Sequence, residues 1–263
     1  MFMHCLFLFF ILFNMNSIIV SFLITTFAGL STMIGIIPIF VSNDKAEKII
    51  PSSLLFASGV MLTISFLSLI PEGFALFCES NFIFPSILFT AIFVVVGIIF
   101  SSKISKKIEE KLSSNYLYRL GIVTVIALIF HNIPEGITTF LSSSHDLSLG
   151  VTLSLGIALH NIPEGISVAV PIYFATGNRK KAIVFTFISG FSEMIGAVLA
   201  YLFLAPFITN FVLGIILSMA AGIMIHISIY ELLPSSFKYP LNAKVLLFFL
   251  IGVFVMFLCH FFI

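Results

Sequence analysis

His131-Asn132-Ile133-Pro134-Glu135-Gly136 and His160-Asn161-Ile162-Pro163-Glu164-Gly165 are one six-residue phrase written twice in the middle of the chain. Apolar residues precede each copy, Gly121 to Phe130 before the first and Val151 to Leu159 before the second. Ionisable groups therefore sit inside stretches that otherwise read as membrane-spanning helices. A carboxylate at mid-bilayer costs about 2.5 to 3.5 kcal/mol even on the lenient insertion scale, so intramembrane Glu and His are functional candidates by default.

On a helix, residues three and four apart share a face. His131 and Asn132 both lean toward Glu135, and His160 and Asn161 toward Glu164. Two such helices side by side present two imidazoles, two amide oxygens and two carboxylates to one cavity, which is a metal-ligand set. Pro134 and Pro163 lack an N–H, so each frees a carbonyl one turn earlier and kinks its helix. Irregular backbone at this depth is tolerated only where it faces protein or a wet cavity.

The 263 residues are 60% hydrophobic and only 9% charged, with a mean hydropathy of +1.23, beyond what a soluble core of this size needs. The chain reads as an all-α polytopic membrane protein, one domain over residues 1–263 in contact with the lipid bilayer. Its net charge of +1 identifies no partner, and no basic tract or aromatic-basic face points to nucleic acid. Cys5, Cys78 and Cys259 are too scattered for a disulfide framework or thiolate metal site, and read as small buried apolar residues.

Met1 to Phe13 is apolar without a basic lead, and reads either as a cleaved signal or as an overhang of the first helix. Eight spans follow: about Ser17 to Val41, Pro51 to Ile70, Phe82 to Phe100, Leu120 to Leu141, Leu147 to Phe174, Ala182 to Leu204, Ile208 to Leu233 and Val245 to Phe262. Each suits a hydrocarbon core roughly 30 Å thick. Residues 101–119 read as a polar, mixed-charge connection. Cytoplasmic loops of membrane proteins are enriched in Lys and Arg, and all 12 here fall in alternate loops. Lys45 and Lys48 lie between spans one and two, Lys103 to Arg119 between three and four, Arg179 to Lys181 between five and six, and Lys238 and Lys244 between seven and eight. This parity predicts eight helices with both termini on the outer or lumenal side. His131 lies about 18 Å of helix rise past Arg119, and His160 about 21 Å past Asp146, so the two phrases meet near the bilayer middle. Carriers place substrate at that depth.

The repeated His-Asn-x-Pro-Glu-Gly on adjacent central helices resembles the ZIP (Zrt/Irt-like) divalent metal transporters, most closely their GufA-type branch, and the resemblance covers nearly all eight spans. It implies a binuclear site. One metal would be held by His131, Glu135, His160 and Glu164; a second by Asn132, Asn161 and the same two carboxylates, completed by Glu193 of Ser189-Gly190-Phe191-Ser192-Glu193. Met194 stands where many relatives have proline. Met61 matches a position where a thioether can reach the first metal, although Met is more often a packing residue. Ser68, a turn or two further along, is a pathway position at which many eukaryotic relatives carry His. The connection after the third span contains no His, unlike the long His-rich loop of many family members, so metal sensing by that loop is not expected. The resemblance also implies transport toward the cytoplasm, movement of the site-bearing helices against a scaffold group, and a homodimer.

Near the inner end of the seventh span, Glu231 and His226 form either an exit relay or a snorkelling Glu beside a hydrogen-bonded core His. On the outer side Glu72, Glu79, His145 and Asp146 either attract cations or are simply solvated. His4 and His260, at the ends, are assigned no role. A mixed imidazole, carboxylate and amide site suits Zn²⁺ or Fe²⁺ as bound substrate, with tolerance for Mn²⁺, Co²⁺ or Cd²⁺, and no resident cofactor is expected. The alternatives are a metal-dependent membrane enzyme and a selective metal channel. A di-iron bundle uses Glu-x-x-His and a zinc protease His-Glu-x-x-His, neither of which matches this order. The plasma membrane is the expected location, with an organelle membrane as the alternative.

Overall fold

The apolar periodicity is realised as eight long helices. A computed structural model describes residues 17–41, 46–79, 82–112, 115–204, 207–240 and 242–262. Met1 to Phe13, with His4 and Cys5, and Lys45 lie outside the described residues. The helices are α1 (Ser17–Phe40), α2 (Lys48–Cys78), α3 (Ile83–Lys111), α4 (Tyr116–His145), α5 (Leu147–Thr176), α6 (Arg179–Phe203), α7 (Asn210–Ser236) and α8 (Ala243–Phe261). Each is long and apolar enough to cross a bilayer, and among the described residues all regular structure is helical. The chain is thus a multi-pass integral membrane protein.

Polar residues ahead of the apolar runs set where helices begin. Asn115 Oδ1 accepts the Tyr118 N–H at 3.0 Å, and Asp146 Oδ1 accepts those of Ser148 and Leu149 at 2.9 and 3.2 Å. Asn178 and Thr209 cap α6 and α7 in the same way, satisfying N–H groups that the first turn leaves open. Gly177, at φ +63°, takes the left-handed conformation that ends α5. Two boundaries differ most from the sequence reading, the first being the end of α2, which runs on past Ile70 to Cys78 and so carries Glu72 within a helix. At the second, helix α3 continues to Lys111 and α4 starts at Tyr116, so most of the polar connection over 101–119 is itself helical. Its apolar stripe explains this, since Ile108 still packs on the core and Ser101 and Ser105 are buried.

Two groups of four helices emerge from the packing. Helix α4 lies against α5 and α6, and α1 packs across α5 and α6; α8 lies on α2, and α3 on α7, with α2 against both α3 and α7. The groups meet chiefly where α2 crosses α5. Small residues let helices approach closely in lipid, where apolar attraction between helices is weak. A Cβ at Gly136 would clash with the Glu193 carbonyl, one at Gly165 with the Thr32 carbonyl, and one at Gly29 or Gly190 with the other's backbone oxygen. The second group repeats the device at Gly59 and Gly252 between α2 and α8, and at Gly97 and Gly222 between α3 and α7. Among the described residues, every such glycine approach lies within one group and none bridges the two.

Exposure orders the helices. Only 17% of the apolar window is buried in α3 and in α8, against 67% in α2, α4, α5 and α7, so the latter form the centre. Many serine and threonine hydroxyls in the spans bond back to the preceding turn, as Thr124 does to Leu120 O and Thr139 to Glu135 O, which satisfies those groups without water. Replacing Gly136 or Gly252 with Ala forces these backbones apart, and each change is expected to lower stability by about 1 to 3 kcal/mol, typical of overpacking. Denaturation midpoints of the detergent-solubilised protein measure it; unchanged midpoints would show that the helices are not in backbone contact there.

Candidate metal centre

Helices α4 and α5 run antiparallel, so the two copies of the phrase face each other at one level. Both helices continue unbroken through Pro134 and Pro163. The pairing is between helices rather than along them. His160 Nε2 lies 2.7 Å from Glu135 Oε1, and His131 Nε2 is 3.5 Å from Glu164 Oε1 but 3.8 Å from Glu135 Oε2 of its own helix. Ligand atoms of His131, His160 and Glu164 all fall within 4.8 Å of one another.

The terminal glycine of each phrase explains how the rest of the site is assembled. Gly136 seats the α6 backbone at Glu193, and Gly165 seats the α1 backbone at Thr32 and Gly35, where α1 tightens into a 3₁₀ turn over Ser31–Ile36. Helix α6 thereby delivers Glu193, and α1 delivers two backbone contacts. Ser31 Oγ donates to Ala158 O at 2.9 Å, while the Asn161 amide donates to Ala28 O at 2.9 Å and to Glu193 Oε1. Asn132 Nδ2 donates to Ser189 O at 3.1 Å. Each asparagine thus spends its N–H on a neighbouring backbone, which fixes the amide and frees its oxygen.

Burial is complete here and satisfaction is not. Glu164, Glu193, Asn132 and Asn161 are 0% exposed. Eight buried polar atoms have no hydrogen-bond partner: His131 Nδ1 and Nε2, Asn132 Oδ1, Glu135 Oε2, Asn161 Oδ1, both Glu164 oxygens and Glu193 Oε2. Buried polar groups are otherwise almost always paired, and an unpaired buried carboxylate is especially costly. Among the described residues no Lys or Arg ion-pairs with the three glutamates. Open oxygen and imidazole nitrogen atoms around an excess of negative charge describe a seat for cations.

A cavity of about 390 Å³ reaches this centre, lined at depth by His131, Glu135 and His160 and farther out by Ser68, Glu72 and His260. Its walls come from the halves of α2, α4, α5, α7 and α8 that lie away from the basic loops. Met61 lies in the apolar core with Leu54, Ala57 and Ile64 and does not line the cavity. At the basic face, Arg119 is 3.3 Å from Glu231 Oε2 and 3.8 Å from Glu109 Oε1. Tyr116 bonds Ser235, and Lys238 Nζ stands 3.1 Å over its ring. His226 pairs separately, through Nδ1 with Ser101 Oγ at 2.9 Å, and stacks on Tyr230. Of the acidic residues on the opposite side, Asp146 is spent as the α5 cap and Glu79 on Asn210, whereas Glu72 faces the cavity. The contacts of Arg119 with Glu231 and of His260 with Ser68 escaped the sequence reading, since nothing local ties either residue to its partner far along the chain.

A family model described as ZIP Zinc transporter matches residues 101–260. Proteins named zinc transporter ZupT are similar over most of their length. That of Chlorobium luteolum is 41% identical over 241 residues, covering 86% of this chain and 91% of its own. Those of Clostridium perfringens and Oceanobacillus iheyensis are 38% and 40% identical over 256 and 243 residues, each covering 86% of this chain and 90% and 91% of their own. With the doubled phrase facing itself across α4 and α5 and the match extending through the spans, the chain belongs to the ZIP transporter family.

Proposed function

We propose that this protein is a zinc carrier in which His131, Glu135, His160 and Glu164 hold one divalent cation, and Asn132, Asn161 and Glu193 share the same carboxylates around a second. The observation that carries this reading is that eight of the fourteen buried side-chain oxygen and nitrogen atoms without a hydrogen-bond partner among the described residues lie on these residues. Imidazole with carboxylate favours Zn²⁺, and the relatives bearing the name zinc transporter support that choice; the oxygen-rich half of the set accommodates Fe²⁺, Mn²⁺, Co²⁺ or Cd²⁺. Met61, fully buried on α2 beside Ile64, is the thioether that the family resemblance offers to the first cation. The whole chain, residues 1–263, acts as one transport domain.

Placing the basic loops in the cytoplasm puts the cavity on the outer side and both termini with it. The cation then enters through the cavity, while the Arg119, Glu231 and Glu109 cluster closes the cytoplasmic end. Separation of the fold into two glycine-packed groups supports movement of α1, α4, α5 and α6 as a body against the other four. Inward release requires Arg119 to part from Glu231, which leaves Glu231 free as a stepping carboxylate on the way out. The broad apolar faces of α3 and α8 serve the lipid of the plasma membrane or a second copy in a homodimer.

Radiotracer uptake by proteoliposomes tests this directly. Saturable Zn²⁺ uptake is expected, and Glu135→Ala or Glu164→Ala is expected to abolish it while the protein still inserts; normal uptake by either variant refutes the assignment, and non-saturating flux in the parent points to a channel. His131→Ala removes one of two imidazoles and leaves His160 with oxygen ligands, so the Zn²⁺/Fe²⁺ preference is expected to fall. An unchanged ratio counts against ligation by His131.

A further inference from the structure

Farther out, the cavity is lined by a carboxylate and an imidazole contributed by helices outside the repeated phrase. Glu72 of α2 and His260 of α8 line the same cavity as His131, Glu135 and His160. His260 Nδ1 lies 3.0 Å from Ser68 Oγ. A metal-bound histidine characteristically gives its other ring N–H to a fixed acceptor, which sets its tautomer and orientation. Ser68 Oγ stands where that acceptor is needed, and in the tautomer with the proton on Nδ1 the Nε2 of His260 keeps its lone pair.

Local backbone supports the arrangement. Between Ser65 and Leu69, helix α2 widens into a π turn, and Pro71 follows at once. Such single wide turns inside α-helices are frequent at functional sites because they re-aim side chains. Here the wide turn carries Ser68 onto the cavity wall together with Glu72, one turn on. Whereas Glu79 accepts from the Asn210 amide and Asp146 caps α5, Glu72 has no ion pair among the described residues and faces the cavity.

We infer that Glu72 and His260, with Ser68 orienting the imidazole, form an outer divalent-cation site that receives Zn²⁺ at the mouth of the cavity before it passes to Glu135 and His160. This rests on the carrier reading above. One carboxylate and one imidazole leave the ion most of its water, so the site is weaker than the deep centre and releases what it captures. Both its ligands stand on the group opposite to α4 and α5, and the ion therefore crosses from one helix group to the other as it descends.

The test separates binding from transport. Zn²⁺ binding to the purified full chain in detergent is measured for the parent, for the double variant Glu135→Ala with Glu164→Ala, and for that double variant carrying His260→Ala, His260→Asp or Glu72→Gln. The deep double variant is expected to retain weak Zn²⁺ binding, lost on His260→Ala or Glu72→Gln and recovered with His260→Asp, which supplies a ligand without the imidazole bond to Ser68. In otherwise native protein, His260→Ala is expected to raise the KM for Zn²⁺ uptake by about threefold or more with little change in maximal rate, the signature of a lost binding contact. Residual binding indifferent to His260 and Glu72 overturns the outer site. A parent protein with no saturable uptake sinks the carrier reading instead, and the binding series still decides the outer site by itself.

Discussion

Three carboxylates buried among apolar helices, with no Lys or Arg among the described residues pairing with them, set the terms for the rest of this fold. Water stabilises a carboxylate far better than hydrocarbon does, so the cluster is tolerable only if cations or imidazoles supply the compensating interaction. The two histidines do part of this work, His160 closely and His131 at longer range. The remaining open atoms mark where the protein on its own stays unsatisfied. A carrier needs such incompleteness, because a site fully satisfied by its own side chains has no use for cargo.

The glycines are the means by which these groups are brought together. Glu193 reaches the centre because Gly136 admits its backbone, and α1 offers Ala28 O to Asn161 because Gly165 admits the turn at Thr32. The final residue of the repeated phrase is therefore as much a part of the site as the ligands, although it holds no ion. Close backbone contact also makes each helix group stiff, and its confinement within the groups leaves the boundary between them as the place where sliding costs least.

The two ends of the molecule differ in a way that fits this division. Away from the basic loops, the boundary opens into the cavity bearing Glu72 and His260. At the basic face, Arg119 of one group clasps Glu231 and Glu109 of the other. An ion pair between partly buried groups at such a boundary favours one arrangement of the two groups. Glu231, which the sequence offered either as half of a relay with His226 or as a snorkelling carboxylate, pairs instead with Arg119, while His226 bonds Ser101.

Hydropathy, the alternation of basic loops and the doubled phrase determined by themselves that the chain has eight spans, that the His and Glu residues lie at mid-depth, and that α4 and α5 carry them. Those features are local, since helix rise sets depth and periodicity sets the face. The start of span five after Asp146 was legible for the same reason, whereas the caps at Asn115 and Asn178 begin their helices about a turn before the apolar runs that hydropathy reads. Only the tertiary structure decided which helices become neighbours. It paired His160 with Glu135 across the helices rather than with its own Glu164, turned both asparagine amides onto other backbones, extended α3 to Lys111, and brought His260 to Ser68. A helix fixes the angle at which a side chain leaves its axis; what that side chain meets depends on glycine-mediated approaches between segments far apart in the chain, which no local pattern records.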